Sequence, residues 1–142
     1  MPDGIALLEA DHRLVEALFA TAVDERDPVA AGIAIARIAD LLRTHDDVEH
    51  AALYPLAVAL GLERDLLVRS FAAHAAVQDQ LQLVATLEGP ALLSAVDALH
   101  ALVARHVEEE EQQLFPALRT AAEPGMLDEL GARILRTRQR AG

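Results

Sequence analysis

The 142 residues of this chain are enough for one domain with a sizeable hydrophobic core, and 53% of them are hydrophobic. The net charge of −11 disfavours nucleic acid and anionic membranes as partners, and no apolar run approaches the roughly 20 residues of a membrane span. The absence of cysteine excludes disulfides, thiolate metal sites and iron–sulfur clusters. Because the N-terminal residues also lack a signal-peptide pattern, we expect a cytoplasmic protein.

Helical periodicity runs through almost the whole chain, and strand signals are missing, with aromatic residues at only 3%. Proline and glycine breaks divide the chain into predicted helices at residues 5–23, 28–60, 63–87, 91–120 and 126–138. Asp27-Pro28 has the form of an N-cap, Gly61 that of a helix stop, and we expect a kink at Pro55. Long helices joined by short loops predict a single all-α domain, an antiparallel up-down-up-down four-helix bundle with a short fifth C-terminal helix.

One eleven-residue pattern occurs twice in the chain. Residues 45–55 and 106–116 both contain His-x-x-x-Glu, followed by Leu, an aromatic residue and Pro at matching offsets. Positions four apart lie on the same face of a helix, so each copy can direct an imidazole and a carboxylate to one point. Two such helices that face each other would supply the ligands of a metal pair inside a helical bundle.

A histidine interrupts the apolar stripe of each of the four long predicted helices. A single histidine on an apolar face is usually a satisfied core residue. Together with the two glutamates on the same stripes, however, these groups would cost several kcal/mol each if left unpaired. One pair of cations would satisfy all of them, and the predicted metal ligands are therefore His12, His45, Glu49, His74, His106 and Glu110.

At these residues the chain resembles the hemerythrin-like (HHE cation-binding) family, and the resemblance covers nearly its whole length. It implies a four-helix bundle with two non-haem irons joined by an oxo or hydroxo bridge, four terminal imidazoles and two bridging carboxylates. Iron rests on the resemblance, because imidazole and carboxylate also suit zinc and manganese. The residues that carry the resemblance are Asp11-His12, His45-x-x-x-Glu49, Leu53-Tyr54-Pro55, His74, His106-x-x-x-Glu110 and Leu114-Phe115-Pro116.

Two positions depart from the family's pattern. Oxygen-carrying hemerythrins have two histidines four residues apart on the third helix, whereas here Gln78 follows His74. The second helix of the family often has a further Glu after the ligand Glu, where this chain has His50. One iron is therefore expected to lack an imidazole, and water, Gln78 or Tyr54 could take its place.

Tyr54 is the only tyrosine and a candidate for an additional iron ligand. On an ideal helix it points away from Glu49, since five positions turn the direction by about 140°. Pro55 disturbs the preceding turn, and a bulge there could direct the phenol inward. The alternative is that Tyr54 packs like its counterpart Phe115.

Residues beside the predicted ligands allow two interpretations. Asp11, His50 and Gln78 are candidates for contacting the ligands from outside, although the amphipathic pattern places Asp11 and His50 at the boundary or surface. The acidic run 108–111 is expected to be a solvated face apart from Glu110. We expect the fifth helix to be dispensable for the ligand set.

A buried iron pair in an apolar surround would admit small molecules such as hydrogen peroxide, nitric oxide or dioxygen. The chain has no Gly-rich phosphate loop and no nucleophile–base pair. The missing imidazole favours an oxidoreductase that scavenges peroxide or nitric oxide, with a peroxidase-like activity. The alternatives are a module that binds or senses oxygen, iron or redox state without turnover, and a bundle that metals only stabilise. The sequence identifies neither a reductant nor a protein partner.

Overall fold

The computed structural model describes residues 2–141, and these residues are helical apart from short connections. Two π-helical segments, Glu49–Leu53 and Glu110–Leu114, each join two α-helices without a break. No strand occurs in residues 2–141, so the all-α prediction is confirmed. The α-helices are α1 (Gly4–Glu25), α2 (Pro28–Val48), α3 (Tyr54–Ala59), α4 (Arg64–Val84), α5 (Gly89–Glu109), α6 (Phe115–Ala121) and α7 (Pro124–Ala141).

The helix ends follow from local side-chain and backbone chemistry. Asp27 caps α2 by accepting a hydrogen bond from the Val29 amide at 3.2 Å, and Pro28 occupies the first turn, where its missing N–H costs nothing. Gly61 ends α3 with φ 73°, a conformation in which a side chain would be strained. The last predicted helix, 126–138, is longer than expected, because α7 has 18 residues.

Two apolar clusters make up the core. The first cluster contains the buried residues Ile5, Leu8, Val48, Leu53, Leu67, Leu114, Leu130 and Ile134, with Tyr54 and Phe115 among them. The second cluster contains Val15, Phe19, Ile38, Val77, Leu99 and Val103. On α1, α2 and α4 a histidine separates residues of one cluster from residues of the other, and along α5 and the π-helical segment that follows it His106 lies between the second cluster and Leu114 of the first. The four histidines therefore lie together in one layer of the protein, between the two apolar clusters.

Packing between helices places this layer in the interior. Helix α1 packs against α2, α5 and α7, while α5 also packs against α2 and α4. Helix α7 crosses α1, α2 and the first π-helical segment, and its Leu130 and Ile134 complete the first cluster. Among the described helices, none has the combined length and apolar character needed to cross a membrane.

Candidate metal centre

The six predicted ligands converge between the two apolar clusters. Glu49 is 0% exposed and Glu110 is 1% exposed, while the four histidines are at most 7% exposed. Ligand atoms of Glu49, His74, His106 and Glu110 lie within 4.8 Å of one another, and so do those of His12, His45 and Glu110. Glu110 belongs to both groups, which makes this one continuous site rather than two separate ones.

The two carboxylates lie between the imidazoles of the two groups. Glu49 Oε1 is 2.8 Å from His74 Nε2 and 3.2 Å from His45 Nε2. Glu110 Oε1 is 3.1 Å from His12 Nε2 and 3.6 Å from His106 Nε2. Each carboxylate thus faces one imidazole from either group, as a group that bridges two cations must.

Despite this proximity, the central polar atoms are not satisfied by hydrogen bonds. Within residues 2–141, both carboxylate oxygens of Glu49 and of Glu110 and both ring nitrogens of His106 are buried without a hydrogen-bond partner. An unsatisfied buried polar group typically costs about 1–3 kcal/mol, and more when it is charged. Six such atoms in one place are not explained by the stability of the fold, and a bound ion would supply the partners that they lack. Imidazole and carboxylate are ligands of iron, zinc and manganese, so these residues fit a metal site.

The outer nitrogens of three histidines each face a carboxylate. His12 Nδ1 donates to Glu111 Oε2 at 2.7 Å, and His45 Nδ1 donates to Asp11 Oδ2 at 3.0 Å. His74 Nδ1 contacts Asp46 Oδ1. Because an ionised carboxylate only accepts, the proton lies on Nδ1 and the lone pair of Nε2 can point into the site. This arrangement commonly orients histidine ligands of metals.

These contacts revise part of the sequence interpretation. Asp11 does contact a predicted ligand, so it is not simply a surface residue. The prediction that Glu111 belongs to a solvated face was wrong, because its carboxylate is directed at His12. Asp46 was missed altogether, and the only available signal was an acidic residue next to a predicted ligand.

The buried carboxylates and imidazoles of the site shift one another's pKa values. Burial would lower the pKa of His45, but Glu49, Asp11 and Glu110 together raise it well above its ordinary value. Burial would raise the pKa of Glu49, but the charge of His45 holds it well below its usual range. In contrast, burial and neighbouring His106 lower the pKa of His74 to about 3. Metal binding would therefore displace protons held between His45 and the carboxylates.

Both π-helical segments begin at a predicted ligand glutamate and end just before the aromatic-Pro pair. The Tyr54 amide donates to the carbonyl of Glu49, and the Phe115 amide donates to that of Glu110, each one residue further back than in an α-helix. Pro55 and Pro116 follow, and neither can donate a backbone hydrogen bond. The bulge considered at Pro55 is therefore present, and it rotates the aromatic side chain towards the core.

The Tyr54 phenol contacts one of the predicted ligands, His74. It is buried, and its hydroxyl lies 2.6 Å from Ser70 Oγ and 2.8 Å from His74 Nε2, the nitrogen that also faces Glu49. Burial and the nearby carboxylates raise the pKa of Tyr54, so its phenol is neutral when no cation is near. Its counterpart Phe115 instead stacks on His12, with ring centroids 5.8 Å apart. The two aromatic residues contact opposite ends of the site.

A cavity of about 30 Å³ adjoins the histidines. This volume holds one or two water-sized molecules. Gln78 lines the cavity, which places it beside the site as expected. His50 lies further out, half-exposed, with Nε2 3.4 Å from Asp46 Oδ1. The apolar part of the cavity wall consists of Val15, Leu42, Val77, Val103 and Val107.

No family model, curated protein or solved structure matches this chain. The hemerythrin-like resemblance therefore stays a prediction from the motif residues, and the candidate function has to be argued from the geometry of the site.

Proposed function

We propose that this chain is a hemerythrin-like non-haem di-iron protein that reacts with small oxidants. The observation that carries the proposal is the pair of buried carboxylates, Glu49 and Glu110, which lie among four imidazoles without hydrogen-bond partners. Such a cluster does not stabilise a protein without metal, since replacing buried charged groups with apolar side chains of the same volume often leaves stability unchanged or raises it.

The helix directions support a bundle around this centre. Along α1 the chain passes from the first apolar cluster, through His12, to the second, and along α2 it returns through His45 to the first. Helix α4 repeats the first direction through His74, and α5 starts the return, which passes His106 and reaches the first cluster at Leu114 of the second π-helical segment. We propose that these four helices form the antiparallel up-down-up-down bundle expected from the sequence, with α7 added outside it.

The two groups of ligand atoms divide naturally between two irons. When bound, the irons supply electron exchange with a small oxidant, while the protein fixes their ligands and limits access. Asp11 and Glu111 hold the imidazoles of the first iron, and Asp46 holds one imidazole of the second. The proposed ligands are His12 and His45 for one iron, His74 and His106 for the other, and Glu49 and Glu110 between them.

Tyr54 is the candidate best placed to take the position of the missing histidine. Its hydroxyl oxygen is already within 2.8 Å of His74 Nε2, so a cation held by that nitrogen would lie close to the phenol. A nearby cation favours the phenolate, an anionic oxygen donor suited to ferric iron. We propose that Tyr54 ligates the second iron.

The Tyr54 proposal is tested by spectroscopy of the ferric protein. Wild type and the control Ser70→Ala, which keeps the phenol but removes its other hydrogen-bond partner, should show a visible phenolate-to-iron charge-transfer band. Tyr54→Phe should lose the band and retain iron. An unchanged spectrum in Tyr54→Phe would show that the tyrosine only packs against His74.

The cavity limits the substrate to a few atoms. Its volume of about 30 Å³ suits hydrogen peroxide, nitric oxide or dioxygen, and valine and leucine side chains cover the part of its wall beside the histidines. We propose turnover, as a scavenger of peroxide or nitric oxide. The alternative, a module that binds or senses dioxygen, iron or redox state without turnover, would use the same cavity.

Mixing the iron-loaded protein with hydrogen peroxide or nitric oxide separates these functions. With peroxide alone we expect many equivalents to be consumed per chain with release of oxygen, because two peroxide molecules disproportionate to water and dioxygen. Nitric oxide turnover needs electrons, so that assay contains an added one-electron reductant. The variant Glu110→Met should be inactive, whereas Glu108→Met, an exposed neighbour in the same acidic run, should match wild type. Stoichiometric, reversible oxygenation without turnover would instead assign the binding module.

A further inference from the structure

Helix α7 is fixed closely against α1, next to the candidate metal centre. Gly131 on α7 faces the backbone around Gly4, where even a Cβ would lie 3.2 Å from the Gly4 nitrogen. Leu130 and Ile134 are buried in the first apolar cluster. With these contacts made, the last turns of α7 run alongside the part of α1 that carries Asp11 and His12.

Arg138 lies in these last turns and contacts Asp11. Its Nη2 donates to Asp11 Oδ1 at 2.7 Å and to Oδ2 at 2.6 Å. The same Oδ2 accepts the hydrogen bond from His45 Nδ1 at 3.0 Å. His45 Nε2 in turn faces Glu49 Oε1 at 3.2 Å. A continuous chain of contacts therefore leads from α7 to the centre of the site.

We propose that Arg138 is a positioning residue of the metal centre, which fixes the Asp11 carboxylate so that it holds the His45 ring with Nε2 directed at the metal. The inference rests on the proposed di-iron function and adds α7 to the site. It reverses the expectation that the last helix is dispensable for the ligand set.

The contact of Arg138 differs from the other arginine contact near the site. Arg13 donates to Glu111, the partner of His12, but the Arg13 side chain is 64% exposed. The side chain of Arg138 is 30% exposed and the helix that carries it is anchored in the core. Charge-assisted contacts to both oxygens of a carboxylate restrict its orientation more than an exposed, mobile contact does.

Titration with Co²⁺, whose visible bands report the ligands, tests this role. Partners of metal-bound histidines commonly contribute about 10–100-fold in metal affinity. We expect R138Q to weaken one of the two Co²⁺ sites at least about 10-fold and to change its visible spectrum, leaving the other site unaltered. R138K replaces the guanidinium with an ammonium group, which can still donate to Asp11, and should recover most of the affinity. R136Q removes an exposed arginine from the same helix and should behave as wild type.

A measurement without metal separates this inference from the proposed function. In the metal-free protein, the Nδ1 proton of His45 should give a downfield, slowly exchanging NMR signal because Asp11 accepts it. The signal should persist in wild type and R136Q and broaden or vanish in R138Q. If wild type binds no Co²⁺ but the NMR result holds, the metal function fails while the positioning role stands. Equal NMR signals and equal Co²⁺ affinities in R138Q and R136Q would overturn the inference.

Discussion

Replacing Glu110 with Met separates a metal-binding carboxylate from a structural one. Glu110 is 1% exposed, belongs to both ligand groups, and neither of its oxygens has a hydrogen-bond partner among the described residues. Methionine is a similarly sized, unbranched side chain without charge, so the substitution removes the carboxylate with little change in packing. The matched control is Glu108→Met, which alters the exposed face of the same acidic run.

The effect of Glu110→Met on the free energy of unfolding should differ with and without metal. Without metal, removal of two unsatisfied oxygens is favourable, while lost attraction to His12 and His106 is unfavourable. We expect the free energy of unfolding to stay unchanged or to rise by up to about 3 kcal/mol. With metal at about 100 times its dissociation constant, each occupied site stabilises wild type by about 2.7 kcal/mol, so two sites give about 5 kcal/mol. Glu110→Met should lose nearly all of that gain.

Urea unfolding followed by circular dichroism, with chelator and with saturating metal, measures both quantities. The reasoning would be refuted if chelated Glu110→Met lost more than about 3 kcal/mol, because Glu110 would then be a structural partner of the histidines. Retention of the metal-dependent stabilisation in this variant would also refute it, since Glu110 would then not be a metal ligand.

Three further predictions concern the second carboxylate, the cavity and pH. Glu49→Ala should reduce iron to at most about one per chain by metal analysis, because a bridging ligand is removed, and two coupled irons in this variant would contradict that role. Val107→Phe should retain iron but slow peroxide turnover on the order of 10-fold, about 1.4 kcal/mol of barrier, by narrowing the cavity; unchanged kinetics would place the oxidant elsewhere. Thermal unfolding of the protein without metal should show stability that declines above about pH 6.5, because folding raises the pKa values of His45 and His106 and their bound protons are lost at higher pH. Stability should also decline as pH falls from 6.5 towards 3, because the unfolded chain binds a proton at His74 that the folded protein does not. Saturating metal should remove the alkaline decline, since it replaces those protons; a flat profile without metal would contradict this account.

The convergence of the six predicted ligands could be predicted because it depends on local helix geometry. The spacing of His45 to Glu49 and of His106 to Glu110 requires only that the segment be helical. All six predicted ligands meet in the structure because each lies on the stripe that its helix buries. The ends of helices could also be predicted where one residue determines them, as Asp27 and Gly61 do.

The partners of the ligands depend on how helices rotate against each other, which amphipathic spacing does not specify. Glu111 lies one position beyond Glu110, so an ideal helix turns it about 100° away, yet it meets His12 from α1. Asp46 meets His74 and Arg138 meets Asp11 through similar contacts between distant parts of the chain. These pairs follow from tertiary packing, to which the wider turn of the second π-helical segment adds only at Glu111, and not from either local sequence.

The bulge at Tyr54 could be predicted only in part from the sequence. Pro55 indicates a disturbed turn, but its chemistry does not choose between a kink, a break and a π-helical turn. The buried contacts of the phenol with Ser70 and His74 decide the outcome, and they lie on α4. The direction of Tyr54 was therefore open in the sequence and is set by the packing of a neighbouring helix.

The most direct test of the metal centre is the metal content per chain of protein purified without added metal. The proposed function predicts about two irons per chain, bound by the two groups of ligands that share Glu110. No metal, or a single zinc, would contradict the di-iron proposal and with it the proposed reaction with peroxide or nitric oxide.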